Sequence, residues 1–169
     1  MKLKEPIVYK NYFESHSDKR GFLSTTSLRK LNLDILQDFE YAYQLISSTS
    51  TINTFRGFHY QARPFSQNKV ILVHSGTIID FVIPLNDLKF KNIKKYELSV
   101  GDIILIPENY AHGFLTTSSN VTLQYILDNE YSQHHYKGIN GIDYLTKNGF
   151  KDNLIISDKD KDLPIKILW

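Results

Sequence analysis

The sequence predicts an all-β sandwich or barrel. Three observations carry this: apolar residues arrive in short bursts, turn residues separate the bursts, and β-branched side chains dominate them. With 169 residues the chain makes about one domain, 1–169, long enough to bury roughly 70% of its unfolded surface. A content of 41% hydrophobic and 22% charged residues excludes disordered, collagenous and low-complexity classes. Twenty basic against eighteen acidic side chains leave a net charge of +2, which gives no footing for a nucleic-acid partner. The absence of cysteine excludes disulfides, thiolate metal sites and a thiol nucleophile. The longest apolar runs, 70–73 and 103–106, fall far short of the ~18–20 residues of a membrane span. Residues 1–6 lack the apolar core of a secretory signal, so the expected location is the cytoplasm, with no membrane partner.

Along the chain, Leu28, Leu31, Leu33, Ile35 and Leu36 match helical spacing only in part, which suggests a short helix or a turn within 28–39. Residues 69–74 and 77–84 are β-branched arms joined by Ser75-Gly76, and the pattern predicts a hairpin with glycine supplying positive φ. Gly101-Asp102 opens a strand over 103–106 that Pro107 stops. Residues 121–127 alternate, with β-branched or aromatic side chains on both faces, as an inner strand requires. Residues 132–153 are polar and rich in Asn, Lys, Gly and His, and read as loops with one turn of helix. The tail resumes with Ile155-Ile156, a charged run over 157–162, Pro164 and an apolar end; no repeat and no linker divides the chain.

Chemistry-bearing residues gather in two places. Arg56-Gly57-Phe58-His59-Tyr60-Gln61 precedes a β-rich segment, and on a strand His59 and Gln61 share the face of Gly57, where a ligand or another backbone can approach closely. Spacing alone equally allows a half-buried structural histidine. Ala111-His112-Gly113-Phe114 is the second such segment. Metal binding is poorly served, because His59-Tyr60-Gln61 offers one imidazole where a His-x-His pair is needed, and the adjacent His134 and His135 diverge in extended chain. Asp158, Asp160 and Asp162 alternate and would share one strand face, or form a solvated charge run.

In order, Arg20-Gly21-Phe22, the 56–61 segment, Gln67-Asn68-Lys69 with Gly76 and Asp80, residues 106–114, and Ser157-Asp158-Lys159-Asp160 with Pro164 resemble the dTDP-4-dehydrorhamnose 3,5-epimerase family. This resemblance implies a cupin double-stranded β-helix, or jelly roll, with short peripheral helices. It also implies a homodimer without cofactor or metal, acting in bacterial surface-polysaccharide synthesis. His59 then matches the catalytic base, Asp160 its carboxylate partner, Lys69 the lysine facing the substrate's C4 carbonyl, and Tyr131, six residues beyond Tyr125, the general acid. Arg20 and Arg56 match the arginines that hold the diphosphate, while His112, Tyr125 and Asp80 match further active-site positions. Gln44 and Gln61 are expected at the substrate as well.

The chain departs from the family where the nucleobase and the outer part of the substrate are held, and not at the matched base, acid and lysine. Leu23, Ser24 and Thr25 replace an aromatic and a glutamate, Ile46 replaces the asparagine of a Gln-x-Asn segment, and residues 138–144 replace a Trp-Asn-Asp-Pro segment. The expected reaction is therefore inversion at C3, C5 or both of a nucleoside-diphosphate-linked 4-keto sugar. A dTDP-4-keto-6-deoxyhexose and a GDP-linked 4-keto heptose both stand as substrates. A 3,4-ketoisomerase and a non-catalytic nucleotide-sugar-binding cupin are the alternatives.

Overall fold

A computed structural model describes residues 3–31, 39–87, 91–150 and 153–165. Its strands, in chain order, are β1 (Ile7–Tyr9), β2 (Glu14–Asp18), β3 (Gly21–Thr25), β4 (Tyr43–Thr49), β5 (Phe55–Gln61), β6 (Lys69–Ser75), β7 (Thr77–Pro84), β8 (Lys94–Ser99), β9 (Ile103–Ile106), β10 (Tyr110–Thr116), β11 (Val121–Leu127) and β12 (Tyr136–Gly138). Two short helices follow, α1 (Ile142–Lys147) and α2 (Asp158–Lys161). Ten strands form two five-stranded antiparallel sheets, ordered β1-β9-β6-β11-β4 and β12-β5-β10-β7-β8, and β2 pairs with β3 in a separate ribbon. This is the expected cupin jelly roll with short peripheral helices.

Each sheet is covered on both faces, which explains the unbroken apolar runs. Between the sheets, Ile71, Val73, Ile104, Ile106 and Leu123 meet Ile78, Val82 and Phe114. On the outer face of the first sheet, Val70, Leu72, Ile103, Leu105 and Ile126 pack with Leu31 and partly buried side chains of the N-terminal segment. On the outer face of the second, Phe55, Phe58, Phe81, Ile83 and Leu115 pack with Ile139 and with Leu145 of α1. All four residues of β9 are 0% exposed, so alternation cannot survive there.

The hairpin expected over 69–84 is not formed. β6 pairs with β9 and β11, whereas β7 pairs with β8 and β10, so the chain leaves one sheet and enters the other at Gly76. Gly76 has φ +74, and a Cβ there would sit 2.7 Å from Val121 Cγ2, so this corner needs glycine for space as well as for backbone angle. A hairpin and a sheet-switching corner share the same local signature, and both arms are buried on two faces, so nothing in the pattern names their partners.

Two further expectations change. Residues 132–153 contain the strand β12 and the six-residue helix α1, not loops with a single turn. The aspartates at 158, 160 and 162 do not share a strand face: α2 leaves Asp158 solvated and turns Asp160 inward, where it is 6% exposed. Within 28–39, Leu28–Lys30 forms a 3-10 turn and Leu31 is buried, while Leu33, Ile35 and Leu36 lie outside the described residues, as does the apolar end over 166–169. Among the described residues no helix is long and apolar enough to cross a membrane.

Candidate active site

A cavity of about 550 Å³ opens at the mouth of the roll, where β4, β11 and β6 of one sheet face β12, β5 and β10 of the other. Its lining includes Arg56, His59, Gln61, Lys69, His112, Tyr125, Tyr131 and Asp160, eight of the residues singled out from the sequence. That size suits a small-molecule site.

An irregularity in β5 orients the cavity's basic side chains. His59 stands opposite His112 and Arg56 opposite Phe114, so three steps on β5 span two on β10. This bulge reverses the alternation and lets Arg56 and His59 line the same cavity, although an odd spacing would send them to opposite faces. Gly57 makes it possible: it has φ +129, and a Cβ on it would lie 2.5 Å from Gly113 Cα. The glycine in the 56–61 segment thus serves a backbone crossing.

His59 Nε2 lies 2.8 Å from Asp160 Oδ1, and the Gly57 N–H donates to Asp160 Oδ2 at 3.2 Å. Ser157 caps α2, its Oγ accepting from the Asp160 N–H. Burial works to raise the Asp160 carboxyl, but the hydrogen bond and charge of His59, the Gly57 amide and Lys159 together hold it below the usual carboxylate range. An ionised carboxylate in this position fixes the imidazole tautomer and stabilises an imidazolium.

A second pair runs from the cavity wall into the core. His112 Nε2 is 2.6 Å from Asp80 Oδ2, and Asp80 is 0% exposed. Burial pushes the Asp80 carboxyl up against the opposing pull of His112, and among the described residues its Oδ1 has no hydrogen-bond partner. Asp80 backs His112 and does not line the cavity.

Lys69 begins β6 with its ammonium inside the cavity, donating to the Gln67 carbonyl at 3.2 Å. Burial lowers its pKa to about 8, with the Asp128 charge opposing. Tyr125 is buried with its ring edge-on to His112 at 5.8 Å, and burial, aided by the Asp80 charge, pushes its hydroxyl well up, keeping it protonated. Tyr131 is 46% exposed at the mouth, its ring 6.4 Å from that of Tyr43 and 5.9 Å from that of Tyr136.

Three expected substrate residues have other surroundings within this chain. Arg20 lies on the β2–β3 ribbon, paired with Asp18 at 2.5 Å and outside the cavity. Gln44 is exposed on β4, while Tyr43, Leu45 and Ser47 of that strand line the cavity. Gln61 lines it, but its amide donates to the Phe65 and Glu130 carbonyls and accepts from the Ser132 N–H. Gln61 therefore pins the loop that carries Tyr131.

Sequence reasoning missed Tyr43, Gln67, Tyr136 and Lys159 as lining residues. Gln67 and Lys159 sit inside the 67–69 and 157–160 segments and are legible there. Tyr136 was hidden in a stretch read as loop, and nothing distinguished Tyr43 among eleven tyrosines. Among the described residues, no three His, Asp or Glu side chains converge as a metal-binding group.

The fold is a cupin jelly roll, and one cavity at its mouth brings together the partly buried His59–Asp160 pair, the buried Lys69 and the tyrosines Tyr125 and Tyr131. The sequence model for dTDP-4-dehydrorhamnose 3,5-epimerase matches residues 2–166, and the chain belongs to that family of isomerases. Among curated relatives, the dTDP-4-dehydrorhamnose 3,5-epimerase of Methanothermobacter thermautotrophicus is 30% identical over 166 residues, covering 88% of this chain and 84% of the relative. That of Sinorhizobium fredii is 26% identical over 157 residues, covering 87% and 78%. Among solved structures, the Bacillus anthracis enzyme of the same name, with TDP and PPi bound, superimposes with a TM-score of 0.77 at 28% identity, covering 95% of this chain and 93% of its own.

Proposed function

We propose that this protein inverts C3, C5 or both of a nucleoside-diphosphate-linked 4-keto sugar by proton transfer, without a cofactor. The single observation that carries this reading is the His59–Asp160 pair sharing one cavity with the buried Lys69. A ketone at C4 acidifies the hydrogens on both neighbouring carbons. With Nε2 donating to Asp160, His59 keeps Nδ1 to accept a proton from carbon, and the imidazolium that results is stabilised by the carboxylate. Charge then develops on the C4 oxygen, where the Lys69 ammonium meets it. Inversion requires a proton returned to the other face of the ring, the role given to Tyr131. The setting is the synthesis of a surface-polysaccharide sugar in the bacterial cytoplasm. A dTDP-4-keto-6-deoxyhexose and a GDP-4-keto heptose are the two substrates to compare, and the TDP held by the Bacillus anthracis relative supports the first.

Position offers a second reading of the acid. Tyr125 is buried in the cavity wall beside His112, whereas Tyr131 is half exposed at the mouth, although the same burial makes the Tyr125 hydroxyl a weaker proton donor. Replacing each by Phe separates the two. The acid's variant loses about 10²-fold or more in inversion yet still exchanges the sugar's hydrogens with solvent, while the other changes mainly KM. Following both variants by chromatographic resolution of the epimers checks the assignment; inversion at the normal rate in both variants would remove tyrosine from the mechanism.

The second part of the proposal is a homodimer in which the ribbon carries Arg20 to the partner's cavity, beside the Arg56 that binds diphosphate. The ribbon supports this reading: a two-stranded sheet is marginal alone, and this one exposes Phe22 by 72% and Leu23 by 65%. Sedimentation is expected to give two chains, and one chain for Phe22→Asp/Leu23→Asp with activity lost. A fully active monomer would contradict it.

A further inference from the structure

We infer that Tyr136 is a positioning residue for the His59–Asp160 pair, its ring joining the strand that carries the histidine to the short helix that carries the carboxylate. The inference rests on the proton-transfer reading above and adds what holds its two partners in register.

The need for such a residue follows from how Asp160 is presented. His59 sits in the middle of a sheet, with β10 on one side and β12 on the other. Asp160 sits on α2, which has four residues. A single helical turn has no stability of its own, so the position of the carboxylate depends on what α2 docks against. The Gly57 N–H reaches the carboxylate itself, and other contacts hold the rest of the segment. Asn140 Nδ2 donates to the Lys161 carbonyl, the Asn140 N–H donates to the Pro164 carbonyl, and an isolated bridge joins Thr54 to Ile155. These contacts tie down the ends of the segment.

Tyr136 touches both sides. It lies on β12, opposite Gln61 in register, and its ring centroid is 5.2 Å from that of His59 with the planes tilted by 39°. Lys159, the residue before Asp160, places its Nζ 4.3 Å from the Tyr136 ring centroid, a cation–π contact. One ring therefore backs the imidazole and also holds the ammonium of α2. A displacement of Asp160 by about 1 Å is enough to break its 2.8 Å bond to His59, and misplacement on that scale costs on the order of 10²-fold in rate. The aromatic ring supplies both contacts, and the hydroxyl supplies neither, so phenylalanine can replace tyrosine here.

The test uses the full chain as Tyr136→Phe, Tyr136→Leu and Lys159→Met. Two readouts are taken: kcat and KM with a 4-keto sugar nucleotide, and the proton resonance of His59 Nε2–H in the protein alone. Tyr136→Leu is expected to lower kcat about 10- to 100-fold with KM within about 3-fold, and to broaden or remove the His59 resonance. Tyr136→Phe is expected to restore both readouts to near those of the parent. Lys159→Met, which removes only the ammonium, is expected to broaden the same resonance, and it carries the test should Tyr136→Leu not fold. An unchanged resonance in Tyr136→Leu and Lys159→Met would overturn the inference, as would a Tyr136→Phe variant as impaired as Tyr136→Leu. The resonance is read without substrate. If the parent protein turns over no 4-keto sugar, the catalytic reading fails while the role of Tyr136 is still decided.

Discussion

Replacing His59 by Asn is expected to lower turnover by about 10²- to 10⁴-fold while leaving nucleotide affinity within a few-fold of the parent. Asparagine keeps a polar group of similar reach but has no nitrogen that accepts a proton at neutral pH. The loss therefore falls on kcat, because the base acts only as the carbon–hydrogen bond breaks. The diphosphate contacts assigned to Arg56 do not pass through the imidazole, whose own partner is Asp160. Single-turnover rates together with calorimetric titration of dTDP and GDP separate the two quantities. A variant that retains turnover would remove His59 as the base, whereas a parent protein that binds nucleotide and turns nothing over would belong to the non-catalytic binding class.

Replacing Lys69 by Met is expected to have opposite effects on activity and on stability. Without an ammonium at the C4 oxygen the enolate loses its counter-charge, and kcat falls by about 10²- to 10³-fold. Stability moves the other way. The folded pKa of about 8 lies below the 10.5 of an ordinary lysine, so the unfolded chain binds the extra proton between these two values. At pH 7 the folded state therefore carries a penalty on the order of 3 kcal/mol for holding the charge in place, and the penalty disappears as pH rises from 8 to 10.5. Methionine has a similar stem and no charge, so Lys69→Met is expected to unfold at higher denaturant than the parent at pH 7, with the difference gone near pH 10.5. In the parent, kcat is expected to decline above about pH 8 as the ammonium deprotonates. A Lys69→Met protein that is both active and less stable would contradict this account of the lysine.

The parts legible from sequence are those whose signal is local. β9 and β11 could be read because Gly101, Pro107 and the β-branched runs announce them within a few residues. The partners of β6 and β7 could not, because a corner between sheets and a turn within a sheet ask the same of Ser75-Gly76; the difference lies in β9, β10 and β11, far along the chain. The site divides in the same way. His59, Lys69 and His112 were found through motifs set on strands, but the bulge that aims Arg56 into the same cavity as His59 appears only in the pairing of β5 with β10. Asp160 was found through a motif, yet its helical setting was misread, because Asp158 to Asp162 alternate as a strand would and Ser157 caps them as a helix would. Tyr136 gave no local signal at all. Its role arises from the approach of α2 to β12, a contact between segments that each look unremarkable alone.

As the proposed base, His59 removes a proton from carbon beside a ketone. The direct measurement is proton NMR in deuterated water, with the protein added to dTDP- and GDP-linked 4-keto sugars and the C3 and C5 hydrogens followed in time. Loss of one or both signals to solvent deuterium is expected with at least one nucleotide, and no loss when His59→Asn replaces the parent. Retention of both hydrogens with every substrate, or exchange that persists in His59→Asn, would contradict that role for His59.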